Sequence, residues 1–358
     1  MGGGAQVLHA QPHRTRCDRR VSLRLALITD AWPPQVNGVV RTLQRTKLEL
    51  EQLGHRVEVI SPDLFRTMPC PTYPEIRLAL FPGPSMRRRL EIFEPDAVHI
   101  ATEGPLGRAA RAWCLKRRLP FTTAYHTRFP EYVAARFAVP LDWTYGIMRR
   151  FHAPAARVMV ATPSIEADLI ARGFANIGRW SRGVDLDLFR PNEAAPLDLP
   201  RPIHLYVGRV AIEKNIEAFL KLDLSGSKVV IGDGPQRASL QARYPEANFL
   251  GAKFGADLAR HVAAADVFVF PSLTDTFGLV MLEAMACGLP VAAFPVAGPK
   301  DVVRDGEVGA LDWDLGKAID RALELPRAAC RAYAQGFTWE AATRQFLANL
   351  APIGSTTT

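Results

Sequence analysis

Two passages of one rhythm, separated by a break, set the strongest limit on how this chain can fold. Leu23–Thr29, Val57–Ile60, Ala97–Ile100, Phe121–Ala124 and Val158–Ala161 are short, nearly continuous apolar runs with helical patterns between them. Runs of that kind suit strands covered on both faces, and their alternation with helices predicts a parallel sheet wound by helices on each side. From Ser181 to Pro202 the periodicity stops in a Pro- and Asp-rich stretch that reads as a linker. The rhythm then resumes with Ile203–Val207, Lys228–Ile231, Val267–Phe270 and Val291–Phe294, and Trp339–Leu350 reads as a last helix. The expected organisation is a basic extension over 1–21, a first Rossmann-like α/β domain over 22–184, a linker over 185–202, a second such domain over 203–338, and a helix and tail over 339–358. Two open parallel sheets in one chain place a ligand cleft between them, at the carboxyl ends of the strands.

With 358 residues the chain is too long for one ordinary core, and 48% hydrophobic with 22% charged residues is a globular composition. No apolar run approaches the ~18 residues that span a bilayer. Residues 1–21 lack an apolar signal core and read as a disordered extension, with a mistaken start or a targeting tail as alternatives. Cys17, Cys70, Cys114, Cys287 and Cys330 make an odd number with no CxxC spacing, which argues for a reducing compartment and against a zinc cluster. The location expected is the cytoplasm, with peripheral attachment to the inner face of the membrane left open.

The net charge of +8 divides unevenly, at +3 over 1–21, +8 over 22–190 and −3 over 191–358. The first half could therefore face something anionic, or it could simply be a solvated surface. The basic residues lack interleaved aromatics or a recognisable module, so no nucleic-acid partner is expected.

Glycines follow several strands: Gly38 after the first, Gly208 in YVGRVAIEKN, and Gly232 and Gly234 in IGDGP. Such turns let backbone approach a ligand, and helix N-termini offer N–H groups to phosphate; ordinary strand-to-helix turns look the same. Arg209 and Lys214 add two cations beside one of these turns. Fixed cations in a dry cleft stabilise a departing diphosphate; a pair of solvated surface charges is the alternative. In PSLTDTFGLVMLEAMACGLPVAAF, a helix is expected to start at Phe277 or Gly278 and to stop at Gly288, with Asp275 at its mouth and Glu283 two turns inside. If both were helical the two would lie about 12 Å apart along the axis. That is wider than the ~5–9.5 Å of glycosidase carboxylate pairs, and fits acceptors for different hydroxyls of one extended ligand. His126 closes a strand of the first half, as a cleft residue or an ordinary loop histidine.

Together these residues resemble the retaining glycosyltransferases of the GT-B fold, family four, from about Leu23 to Leu350. DTFGLVMLEAMACGLPV matches that family's acidic signature except that Asp275 stands where the first Glu is usual. TDAWPPQVNGVVRTL and GRVAIEKN resemble its amino-terminal loop and its phosphate-gripping segment. HTRFPEYV, WSRGVDLDLF and ATEGPLG look most like the branch of sulfoquinovosyl-diacylglycerol synthases, bacterial α-mannosyltransferases and glycolipid synthases. The resemblance implies a UDP- or GDP-sugar donor, no metal and no cofactor. It implies that Arg209 and Lys214 grip the diphosphate, and that Glu283 receives the ribose hydroxyls. Gly38, Gly208, Gly234, Phe277, Gly278 and Leu279 would line the donor, with Asp275 near the transferred sugar and His126 beside the reaction centre. Asp30, Asn37, Glu103 and Arg128 are placed on the acceptor side. The acceptor implied is a membrane lipid such as diacylglycerol, or a cell-envelope glycan, approached through Arg87, Arg88, Arg89, Arg111, Lys116, Arg117 and Arg118. A nucleotide-sugar epimerase of similar fold and a non-catalytic sugar-nucleotide binder are the alternatives; a phosphorylase would need a pyridoxal lysine, for which no motif is present.

Overall fold

The computed structural model describes residues 22–70, 73–131, 133, 139–191, 195 and 197–354. The extension 1–21 with Cys17, linker positions 192–194 and 196, and tail residues 355–358 lie outside the described residues.

Each half builds a six-stranded parallel sheet. In the first, β1 (Arg24–Ile28), β2 (Arg56–Ile60), β5 (Ala97–Ile100), β6 (Thr122–Tyr125), β7 (Arg157–Val160) and β8 (Ile177–Arg179) run in the order β2-β1-β5-β6-β7-β8. A separate antiparallel hairpin, β3 (Thr67–Cys70) with β4 (Tyr73–Ala79), takes the place where a further parallel strand would come in the chain. In the second sheet, β9 (Ile203–Val207), β10 (Ser227–Ile231), β11 (Asn248–Gly251), β12 (Val267–Phe270), β13 (Val291–Ala293) and β14 (Gly309–Leu311) run β11-β10-β9-β12-β13-β14. Both sheets reverse direction of growth beside their first strand, between β1 and β5 and between β9 and β12. Such switch points leave a crevice at the strands' carboxyl ends.

The apolar runs are buried as their composition requires. Residues 97–100, 122–125 and 267–270 are buried throughout. An aspartate anchors the opposite end of each sheet in the same way. Asp96 accepts from Arg24 N at 2.8 Å and pairs with the Arg24 guanidinium. Asp266 accepts from Ile203 N at 2.7 Å and pairs with Arg201. A carboxylate on the first strand's leading N–H satisfies a donor that the ladder leaves open.

The helix Gly38–Gln52 buries Val40, Leu43, Thr46 and Leu50, three to four residues apart on one face. Its start is set by Asn37, whose Oδ1 accepts from Val40 N at 3.0 Å. The final helix, Trp339–Asn349, packs on this helix and on β8, so it belongs structurally to the first lobe. The second lobe therefore leaves and rejoins the first at neighbouring points: Val184 N donates to Phe337 O at 3.0 Å.

Candidate active site

The second lobe's switch point gathers the charged residues. β9 ends at Val207, and Gly208 (φ 156°) turns the chain into Arg209. The next loop packs directly on this turn: a Cβ on Gly232 (φ 147°) would lie 1.8 Å from Gly208 O, so only glycine fits. Gly234 sits in the same arrangement against Val210 O. Tyr206 donates its hydroxyl to Arg209 O at 2.9 Å, which fixes the turn from below. A short 3-10 turn, Ile212–Lys214, then delivers Lys214 across the switch point to Asp275, with Nζ–O distances of 2.6 and 2.8 Å. Asn215 donates to Pro271 O at 3.1 Å and holds the two loops together.

The acidic stretch folds close to expectation. Its helix is Leu279–Ala286, with Gly278 as N-cap, so Asp275 lies in the preceding loop. Met281, Leu282, Ala284, Met285 and Ala286 are fully buried, which carries Glu283 inside with them. Burial raises the Glu283 pKa, and the opposing influence is the guanidinium of Arg41, which reaches it from the first lobe and bonds both carboxylate oxygens. Gly38, one turn before Arg41, faces Leu279: a Cβ there would stand 3.8 Å from Leu279 Cδ1.

His126 follows β6, and its carbonyl accepts from Thr276 Oγ1 of the second lobe at 2.7 Å. Its ring packs edge-on to Trp180, with centroids 5.4 Å apart. Its Nδ1 lies 3.1 Å from an Arg182 terminal nitrogen. Burial first, then the Arg182 charge, pushes this imidazole well below the ordinary histidine range, so it is neutral. Two further bonds cross between the lobes nearby, Thr162 Oγ1 to Thr276 O at 3.3 Å and Ser164 Oγ to Asp301 at 2.9 Å.

The structure thus sets the Lys214–Asp275 pair, Glu283 with Gly38 and Leu279, and the His126 carbonyl along the boundary between the lobes, with Arg209 in the turn before Lys214. The residues placed on the acceptor side have partners within their own lobe. Asp30 fills the first sheet's switch point, accepting from Leu106 N at 3.0 Å, Gly107 N at 3.4 Å and Thr102 Oγ1 at 2.8 Å. Burial is the main cause of its raised pKa. Glu103 pairs with His152 at 3.2 Å, Arg128 with Glu131 and Asp168 at 3.2 and 3.4 Å, and Asn37 caps its helix. The basic helix faces are partly neutralised: Arg87 and Arg117 both meet Glu91, Arg89 meets Glu58, and Arg111 donates to Phe151 O. Arg41, Arg182 and Thr276 were not legible as site residues. Arg41 reads as a charge on a helix face, and its partner lies 242 positions away.

Two Rossmann-like lobes that meet at these groups define the GT-B fold of glycosyltransferases. The chain belongs to glycosyltransferase family four. Residues 36–188 match the model described as Glycosyltransferase Family 4, and residues 201–325 match Glycosyl transferases group 1. A GDP-mannose-dependent alpha-mannosyltransferase of Mycobacterium tuberculosis (strain CDC 1551 / Oshkosh) is 32% identical over 318 residues, 81% of this chain and 83% of that protein. Sulfoquinovosyl transferase SQD2 of Arabidopsis thaliana is 29% identical, covering 89% of this chain and 72% of that protein. Among solved structures, a sucrose-phosphate synthase from Thermosynechococcus elongatus superposes with a TM-score of 0.73 at 24% identity, over 91% of this chain and 98% of that one. Anabaena Alr3699/HepE in complex with UDP-glucose gives 0.68 at 16%, with the same coverage, and likewise shares the fold.

Proposed function

We propose that this protein moves a sugar from a nucleotide-sugar donor to an acceptor hydroxyl with retention of configuration and without a metal. The observation that carries the reading is the Lys214–Asp275 pair at the second lobe's switch point, next to Thr276, whose hydroxyl bonds the His126 carbonyl across the lobe boundary. UDP- and GDP-sugars both suit the crevice chemistry, and relatives named for GDP-mannose that align over four-fifths of the chain favour GDP-mannose.

The donor diphosphate lies against Arg209, Lys214 and the backbone of the Gly208 and Gly234 turns. As the bond from the anomeric carbon to the phosphate oxygen loosens, negative charge grows on the diphosphate, and the two cations lower the energy of that state more than of the ground state. Asp275 orients Lys214 and reaches toward the sugar, where the methylene it lacks relative to Glu lengthens any direct contact. Glu283 accepts from the ribose hydroxyls once Arg41 yields one of its two bonds. The acceptor hydroxyl attacks from the face that the diphosphate leaves, and its proton passes to the departing phosphate oxygen. Asn37 and Arg128 border the path of the incoming acceptor.

A lipid or envelope-glycan acceptor at a membrane surface is supported by the +8 charge of residues 22–190 and by Phe81 and Ile92. These are 92% and 73% exposed, Phe81 just before the arginine-bearing helix Gly83–Phe93 and Ile92 in its last turn. No helix of the described residues is long and apolar enough to cross a membrane. The test is a panel of UDP- and GDP-sugars incubated with lipid extracts and small glycans, with products identified by mass and anomeric configuration. A sugar-bearing lipid or glycan of retained configuration is expected. A donor that changes its own sugar without an acceptor would replace this reading with epimerisation.

A further inference from the structure

Arg182 is a fully buried guanidinium for which no carboxylate among the described residues supplies a partner. Burial alone lowers its pKa, to about 9, so it remains charged at neutral pH. Leaving a charge inside a protein without a counter-charge is costly, and such groups persist where a defined task requires them. Backbone oxygens hold this one, Trp180 O at 2.6 Å and Ser181 O at 3.0 Å, and the guanidinium carbon sits 4.5 Å from the centre of the Trp180 ring. The segment around it is equally constrained. A Cβ on Gly183 would lie 2.4 Å from Trp339 N, and Val184 N is bonded to Phe337 O. Arg182 is therefore presented from the crossover between lobes, and its remaining terminal nitrogen points at His126 Nδ1.

A guanidinium has donors only. The imidazole nitrogen facing it must accept, so the ring proton of a neutral His126 is on Nε2. A carboxylate in the same position would impose the opposite tautomer. Nε2 is itself buried and has no hydrogen-bond partner, which leaves one oriented N–H without an acceptor. His99, the other titratable group near this ring, is held neutral as well, with a pKa lowered to about 3 by burial and then by Arg182.

We propose that Arg182 is a positioning residue that fixes His126 as its Nε2–H tautomer, so that the imidazole meets the reacting sugar or acceptor oxygen as a hydrogen-bond donor and not as a base. The inference rests on the reading of His126 as a neighbour of the reaction centre, given above.

The experiment is long-range proton–nitrogen NMR of the full chain labelled with 15N-histidine, with His126 assigned by its loss in His126→Ala, combined with kinetics of sugar transfer. In the native protein, a pyridine-type Nδ1 and a pyrrole-type Nε2 are expected at neutral pH. Arg182→Met should mix the tautomers and lower kcat about 10- to 100-fold, the scale of a misplaced catalytic contact, with donor KM within about twofold. Arg182→Lys, which still donates, should restore the tautomer and part of kcat. A pyrrole-type Nδ1 or an imidazolium in the native protein overturns the inference, even if Arg182→Met does not fold. Loss of activity in Arg182→Met with an unchanged His126 spectrum overturns it too. If the tautomer follows Arg182 while His126→Ala transfers sugar normally, the clamp stands and the placement of His126 beside the reaction centre falls.

Discussion

Lys214 shows how a surface-type charge becomes a candidate site residue. It is 21% exposed and Asp275 18%, so the pair is largely shielded from solvent. If the ammonium acts mainly on the departing diphosphate, Lys214→Ala should lower kcat by about 100-fold or more, while affinity for the nucleoside alone changes little. Isothermal titration with the nucleoside beside steady-state kinetics would check this, and equal losses in both would remove Lys214 from bond breaking. Lys214 and Asp275 were legible individually because each stands beside a strand end or a helix start. That they bind one another was not, since 61 positions separate them. Arg182 lay further from reach: within SRGVD nothing distinguishes a buried guanidinium from a linker charge.

Among elements, the buried central strands were the most legible, because each is a continuous apolar run. β8, β11 and β14 escaped notice. Ile177–Arg179, Asn248–Gly251 and Gly309–Leu311 are three or four residues long, too short to show a period, and each lies at a sheet edge. The β3–β4 hairpin was missed for a related reason, as Pro69 and polar side chains interrupt its pattern. Contact between elements was the least readable level. The helix Gly38–Gln52 and the helix Leu279–Ala286 meet through Arg41 and Glu283, one of several bonds between the lobes. A double-mutant cycle of Arg41→Ala and Glu283→Gln, read by urea denaturation, should give a coupling energy of about 0.5–3 kcal/mol. The value should lie toward the lower end because Arg41 is 40% exposed. Additive losses would mean that the two side chains do not hold the lobes together.

At the scale of the whole molecule, buried histidines tie stability to acidity. Burial depresses His99 to about 3 and lowers His204, and both side chains are nearly inaccessible. In the unfolded chain each titrates near 6.5, so the unfolded state takes up protons that the folded state refuses. Their contribution is complete above about pH 6.5 and is lost as pH falls toward 3, at up to about 1.4 kcal/mol per pH unit for each fully refused proton. Thermal melting followed from pH 7 to 5 should show a falling midpoint, with a shallower fall in His99→Gln. A flat profile in the native protein would contradict this assignment.

The chain passes from the first lobe to the second and back at two touching points, Val184 and Phe337. Everything between them is, in effect, a cassette plugged into a socket whose two terminals stay side by side. Exchanging that cassette between relatives leaves the socket's strand order and its closing helix intact. If the donor seats on that cassette, as proposed above, its preference would be inherited as a block, independently of the partner that receives the sugar.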